Sequence, residues 1–408
     1  MFMKWVIIGL LLVVYLFEAV VAVLNRNNSK KALPQRLQDI YDQKRYQKWL
    51  AYSLDIQRFT IVRRGLNLLI LIVLLGGFFS LLEKLAASWS GNPVLQSLYF
   101  LGIYQTFLTL LGLPFRIYQT FSIEERHGFN RTAKKTFLKD TALNYLLTLI
   151  LGGIIIGGIH LLYLRFARDL GVFILLAWGA VSLIMLLIFA FFNRLFLRLF
   201  NKFTPLAEGT LRTRIEDLAS GVGFNVKSIS VMDASKRSTK CNAAFTGLGR
   251  AKEVILFDTL LERMTEDEIV AVLAHELGHA VHGDTRRMLG LQIIAAGFYA
   301  AGIGLILENT ALFTSFGFSG THFGFAIILF SLLFQPIGLI LGIPLNLVLR
   351  QAEYRADQFS ARKTRGSWLI SALKVLAREN LANLNPHPLA VVLYYSHPPL
   401  NERIKALQ

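Results

Sequence analysis

Phe323-Gly-Phe-Ala-Ile-Ile-Leu-Phe-Ser-Leu-Leu-Phe-Gln-Pro-Ile-Gly-Leu-Ile-Leu-Gly-Ile-Pro-Leu-Asn-Leu-Val-Leu349 runs without one Lys, Arg, Asp or Glu. A helix needs about 20 such residues to cross a hydrocarbon core of about 30 Å, so this stretch predicts a transmembrane span. Working outward, comparable apolar stretches cover residues 6–24, 66–82, 94–115, 142–164, 171–192 and 288–307. The expected fold is therefore mainly α, with seven transmembrane helices. The composition agrees: 54% of the 408 residues are hydrophobic and the mean hydropathy is +0.49, outside the usual range for a soluble domain. The first stretch contains Glu18 and shows no small-residue cleavage site before Asn25, so it reads as a retained helix rather than a signal peptide.

Lys and Arg gather in alternate connections. The one after the first span carries Arg26, Lys30, Lys31, Arg36, Lys44, Arg45, Lys48, Arg58, Arg63 and Arg64; the one after the third carries Arg116, Arg126, Arg131, Lys134, Lys135 and Lys139. Residues 308–322 contain neither Lys nor Arg. The asymmetry predicts an N-terminus outside and a cytoplasmic C-terminus, with residues 193–287 also cytoplasmic. The net charge of +17 is then a topology signal and an attraction to anionic lipid. No nucleic-acid-binding motif competes with that reading.

Beyond the quoted span lies Glu353-Tyr-Arg-Ala-Asp357, and before the sixth span lies Ala271-Val-Leu-Ala-His-Glu-Leu-Gly-His-Ala280. H-E-x-x-H on a helix is the metal site of a zinc hydrolase with its general base included. Thr265 followed by Glu266, Asp267 and Glu268 predicts a capping-box start, and Ile269, Val272, Leu273, Leu277 and Ala280 form one apolar stripe. His275 and His279 are one turn apart and can reach a single ion, and Glu276 is placed to take a proton from a water there. Lone His or Glu residues would read as ordinary helix surface; the full pattern on a capped amphipathic helix does not.

Zinc needs a third protein ligand. The metzincin position, six residues past His279, is Thr285, and His282 is displaced along the axis as a neighbour of the site. Glu353 is the remaining option, with Asp357 on the same helix face to orient a ligand imidazole. The sixth and seventh spans form a hairpin that carries Glu353 back to the histidines. The expected organisation is thus residues 1–192 as five membrane helices with basic cytoplasmic loops. Residues 193–287 and 350–408 form the two parts of an α+β, gluzincin-like zinc protease domain on the cytoplasmic side, with residues 288–349 as the last two spans between them. One Zn2+ per chain is expected.

The single cysteine, Cys241, excludes an intrachain disulfide and a thiolate framework, and suits a reducing compartment. Asn242 to Arg250, followed by Lys252-Glu-Val-Ile-Leu-Phe-Asp258, reads as two short strands around a Gly-containing turn. An exposed strand beside a zinc site can hold an extended peptide by edge pairing. Within the spans, Glu18, Gln96, Gln105, Asn144, His160 and Gln335 are expected to face the interior or a water-filled cavity. Gly153 and Gly157 read as a close helix contact, and Pro336 and Pro344 as kinks.

The chain resembles the type I CAAX prenyl endopeptidase family, the a-factor-converting integral-membrane zinc metalloproteases. The matching text comprises Glu125-Arg-His-Gly-Phe-Asn-Arg131, Asn201-Lys-Phe-Thr-Pro-Leu206, Val231-Met-Asp-Ala-Ser-Lys-Arg-Ser238, Asn242-Ala-Ala-Phe-Thr-Gly247, His275-Glu-Leu-Gly-His279, Glu353-Tyr-Arg-Ala-Asp357, Asn385-Pro-His-Pro-Leu389 and Ser396-His-Pro-Pro-Leu-Asn-Glu-Arg403. Ala234 and Ala244 depart from the family text. The resemblance implies seven long helices around a large water-filled chamber, capped by the zinc domain. It also implies removal of the last three residues after a prenylated Cys, with a second upstream cut in some cases. It makes His275, His279 and Glu353 the zinc ligands, Glu276 the base, His397 the oxyanion donor, and Asn242 and Ala243 part of the substrate-pairing strand; for Arg403, lining the site and a surface or structural ion pair are equal alternatives. The partners expected are a peptide or protein substrate, prenylated in the family, and the lipid bilayer. A quality-control membrane zinc protease acting on unprenylated proteins is the alternative. Lys405-Ala-Leu-Gln408 offers no endoplasmic-reticulum address, which favours a prokaryotic plasma membrane.

Overall fold

The computed structural model describes residues 2–246 and 251–408. Five long helices come first: α1 (Met3–Ser29), α2 (Gln43–Trp89), α3 (Pro93–Glu124), α4 (Lys134–Phe166) and α5 (Leu170–Ala190). Strand β1 (Phe203–Pro205), helix α6 (Thr210–Ser220) and strands β2 (Asn225–Met232), β3 (Ala243–Thr246) and β4 (Ala251–Phe257) follow. Helix α7 (Glu266–His282) leads into the membrane-length helices α8 (Asp284–Leu307) and α9 (Phe323–Lys363). The chain ends with α10 (Gly366–Glu379), α11 (Pro388–Tyr394) and α12 (Leu400–Leu407). Among the described residues 7 helices are long and apolar enough to cross a membrane, as expected.

The spans contact one another in the order α1, α2, α3, α4, α5, α8, α9 and back to α1, and α3 also touches α9 across the ring. They form a closed ring, and only 6% to 22% of their most apolar windows is buried. A solid seven-helix bundle would bury far more. One end of the ring is sealed by an aromatic cluster that includes Phe79, Phe100, Phe313, Phe318 and Phe325, with ring centroids 4.3–6.5 Å apart. Offset and edge contacts of this kind are the favourable ones for aromatic pairs.

The observed helices overrun the apolar stretches that announced them. α9 continues past Leu349 to Lys363, through both Pro336 and Pro344, so Glu353 and Asp357 ride on the same rod that crosses the membrane. The expected close contact at Gly153 and Gly157 is absent: Gly153 has nothing near it, and a Cβ on Gly157 would meet only the Leu98 side chain, at 3.6 Å. A leucine, not backbone, sets the separation of α3 and α4. Among the polar span residues, Glu18 pairs with Arg64 of α2 at 3.1 Å, and His160 stacks on Phe323 at 4.3 Å.

The remaining elements build an α+β unit. Its sheet has the order β1-β2-β4-β3, with β2 and β4 parallel and the other two pairs antiparallel. Val254, Leu256, Ile229, Leu260, Ile269 and Leu273 are buried in one core with Ala372 of α10. That core fixes α7 against the sheet. The two strands read from residues 242–258 are present as β3 and β4; the turn between them lies outside the described residues. Among the described residues β3 ends the sheet, paired with β4.

Candidate active site

α7 begins where its sequence predicts. Thr265 caps it by accepting from Glu268 N, and Glu268 Oε2 accepts from Thr265 N at 2.9 Å, the reciprocal capping box. Gly283 ends the helix in the left-handed region at φ 71° and turns the chain straight into α8, a conformation glycine adopts without strain. The turn directs Asp284 back toward the helix it follows.

α9 lies against α7 along the face that carries the histidines. A Cβ on Gly278 would stand 3.0 Å from Ala356 Cα and 3.2 Å from Phe359 Cβ, closer than two side-chain-bearing helices pack. Ser360 Oγ donates to Ala271 O at 2.7 Å one turn further on. This approach brings Glu353 to the histidines: its Oε1 is 3.2 Å from His279 Nε2 and its Oε2 3.5 Å from His275 Nε2. The two Nε2 atoms are 3.3 Å apart. His275, His279 and Glu353 each offer one ligand atom within 4.8 Å of the others.

These residues fit zinc on the chemistry of the donor set. His275 Nδ1 is 2.9 Å from Asp357 Oδ1 and His279 Nδ1 is 3.0 Å from Asp284 Oδ2. Each imidazole therefore places its proton on Nδ1 and turns the Nε2 lone pair inward. Two lone pairs then face each other and a buried carboxylate whose Oε2 makes no hydrogen bond. A cation shared by the three side chains reconciles such an arrangement. His282, expected to be a neighbour, stands beside Phe359 and outside the triad.

Charge around the triad is balanced by residues remote in sequence. Arg403 of α12 is buried and forks onto Asp357, Nη2 to Oδ1 at 2.6 Å and Nε to Oδ2 at 2.8 Å, while Nη1 is 3.5 Å from Glu353 Oε2. Arg355 Nη2 donates to Asp284 Oδ1 at 2.9 Å. Burial pulls the His275 imidazole down, but Asp357 and Glu353 outweigh it and hold its pKa up at about 9. Burial pushes the Glu276 carboxyl up, and the adjoining imidazoles of His275 and His279 draw it partly back.

The other expected site residues are placed as follows. His397 is largely exposed, yet its Nε2 reaches Glu353 Oε1 at 3.3 Å while Nδ1 faces Ser396 Oγ at 2.9 Å. Asn242 is exposed and Ala243 buried at the start of the edge strand, where Asn242 Oδ1 accepts from Ala243 N at 2.9 Å. Asp284 and Gly278 were not anticipated as parts of the site. Asp284 lies beyond a left-handed residue that no periodicity crosses, and Gly278 signals itself only through α9.

The chain matches the family model described as CAAX prenyl protease N-terminal, five membrane helices, over residues 22–202. It matches that of peptidase family M48 over residues 205–408. It is 34% identical over 414 residues to the CAAX prenyl protease 1 homolog of Arabidopsis thaliana, covering 98% of this chain and 96% of that one. It is 34% identical over 393 residues to the probable CAAX prenyl protease 1 of Schizosaccharomyces pombe, covering 92% and 81%. The crystal structure of S. mikatae Ste24p superposes with a TM-score of 0.94 at 30% identity, over 99% of both chains.

Proposed function

The chain belongs to the CAAX prenyl protease group of peptidase family M48, an integral-membrane zinc metalloprotease, and from that premise we propose its substrate and its catalytic roles. The substrate is a protein or peptide ending in a CAAX-type sequence with a prenylated Cys, cut near its C-terminus. The printed names of the relatives support this assignment. The observation that carries the chemistry is the convergence of His275, His279 and Glu353 within 4.8 Å.

His275, His279 and Glu353 would hold the zinc, which would supply a Lewis acid there and make a nearby water more acidic. Glu276, its carboxyl raised by burial, accepts a proton from the attacking water and delivers it to the leaving amine. His397, whose Nε2 stands 3.3 Å from Glu353 Oε1, donates from that nitrogen to the developing oxyanion. Asp357 holds the His275 ring in its orientation, and Arg403 holds Asp357. The free edge of β3, starting at Asn242 and Ala243, pairs with the extended substrate backbone.

The protease unit comprises residues 193–287 and 350–408 and faces the cytoplasm, with the N-terminus outside, a reading supported by the basic connections. The relatives named above are eukaryotic and lend no support to a prokaryotic plasma membrane. Matched CAAX peptides with and without a farnesyl group, with the cut located by mass spectrometry, test the proposal. Chelator-sensitive release of the last three residues is expected. Cutting confined to unprenylated, misfolded membrane proteins would replace this reading with quality control.

A further inference from the structure

The outer edge of β3 is partly occupied by the protein's own side chains. Phe257 N donates to Asn242 O at 3.3 Å, so Asn242 pairs inward with the end of β4. In an antiparallel ladder, inward and outward residues alternate. Cys241 and Ala243 therefore present their N–H and C=O groups away from β4, where an added strand would pair. Cys241 N donates to Asn380 Oδ1 at 3.1 Å, and Asn380 Nδ2 donates to Cys241 O at 3.3 Å. One carboxamide thus takes both outward groups of Cys241. Ala243 N is met by Asn242 Oδ1 at 2.9 Å, but that side chain is exposed and can rotate away. Asn380 is tied at both of its amide atoms.

The chain around Asn380 is built to aim it. Asn380 closes α10, its own N donating to Leu376 O at 3.0 Å. Leu381 follows at φ 48°, the one non-glycine residue with a positive φ among the described residues. Asn tolerates that conformation better than Leu, yet here the Leu carries the strain and the Asn stands one position earlier. The strain is held in place: Leu381 is buried, Ala382 N donates to Ala377 O at 2.9 Å, and the Tyr41 hydroxyl lies 3.0 Å from both Ala377 O and Ala382 O. Strained backbone persists only where its surroundings over-determine it, and it gathers at functional positions. On the other side, Cys241 Sγ donates to Thr259 O at 3.4 Å and Thr259 Oγ1 to Lys240 O at 2.9 Å. β3 then runs beside α7, the helix that carries His275, Glu276 and His279.

We propose that Asn380 is a positioning residue, a register stop for the substrate strand. The inference rests on the reading, given under Proposed function, that an extended substrate pairs with the β3 edge, and adds where that pairing ends. Asn380 supplies at Cys241 the donor and acceptor that a substrate residue would otherwise bring, so the ladder to substrate extends no further than Ala243. Fixing the last rung fixes which peptide bond lies over the metal ligands. A slip by one residue turns every substrate side chain to the opposite face, whereas a slip by two keeps all faces. The two-residue slip is the error this edge must exclude, and Asn380 occupies the rung it needs.

The test compares the zinc-loaded, full-length protein with Asn380→Ala and Asn380→Asp on one farnesylated CAAX-type peptide, every cut located by mass spectrometry. Asp keeps the acceptor for Cys241 N and loses the donor to Cys241 O. In the unaltered protein, product cut two residues from the main bond should stay below about 1% of the total; in Asn380→Ala it should reach at least about 10%, because the discrimination of roughly two hydrogen bonds is lost. Asn380→Asp should give the same displaced product in smaller amount. Zinc content and thermal unfolding are measured on the same samples. A purely structural Asn380 would change stability and total rate but not the position of the cut. Folded variants that cut only at the main bond therefore overturn the proposal while the protease reading stands. Failure of both variants to fold or to hold zinc also overturns it, since Asn380 would then be structural. If the unaltered protein cleaves no CAAX peptide, the underlying reading fails and this one with it.

Discussion

Gly278 and Ala356 touch as bare backbone: a methyl group on Gly278 would come within 3.0 Å of the Ala356 Cα. The atom it would strike belongs to the main chain of α9 and cannot rotate away. Replacing Gly278 with Ala should therefore separate α7 from α9 and withdraw Glu353 from the histidines. We expect a stability loss of about 1–3 kcal/mol from overpacking, with retained zinc reduced in proportion to activity. Zinc analysis beside circular dichroism checks this, and full zinc occupancy in Gly278→Ala would contradict it.

In the proposed mechanism Glu276 and His397 act on the substrate rather than on the metal. Glu276→Gln should lower kcat by about 10²–10⁴, and His397→Ala by about 10²–10³, both with zinc content unchanged. His275→Ala should lose zinc as well as activity. Metal stoichiometry measured on the same samples as kcat separates the two classes.

Asp357 and Arg403 form a buried, doubly hydrogen-bonded pair behind His275. Asp357→Ala should weaken zinc affinity by about 10–100-fold through the loosened imidazole. Arg403→Ala leaves Asp357 and Glu353 as neighbouring buried anions and should cost about 3–5 kcal/mol of stability. Chelator competition measures the first effect and thermal unfolding the second.

In metal-free protein, His275 titrates near 9 rather than 6.5 because two carboxylates stabilise its charged form against the opposing effect of burial. A pKa raised on folding contributes stability that is fully present below 6.5 and lost as pH rises through about 9. Chelated protein should therefore lose thermal stability between these values relative to the zinc-loaded form. Zinc affinity should rise over the same interval, because the metal displaces a proton. Unfolding curves at both pH values, with and without chelator, would show whether the gap widens as stated.

The membrane spans and α7 were legible because each rests on a local signal: uncharged apolar length, or a capping box followed by a stripe at helical spacing. The pairing of Glu353 with the histidines was legible because the hairpin of two spans leaves the chain few other places to go. The ring order, the Gly278 contact and the place of Arg403 depend on elements far apart in sequence, whose mutual approach no periodicity encodes. Gly153 and Gly157 misled for a related reason: small residues at that spacing permit close approach, but whether a neighbour uses it depends on what faces them, here Leu98.

α9 joins the sealed end of the ring to the site as one unbroken rod. From Phe323 to Glu353 it measures about 45 Å, so a rotation of one degree about its far end sweeps the carboxylate through roughly 0.8 Å. A misplacement of about 1 Å can cost a hundred-fold in rate, and helices answer a change in bilayer thickness by tilting. The chemistry is thus geared to the lipid around it. Turnover in vesicles of graded acyl-chain length should peak sharply at one thickness, and a flat profile would mean that the lever is uncoupled from its load.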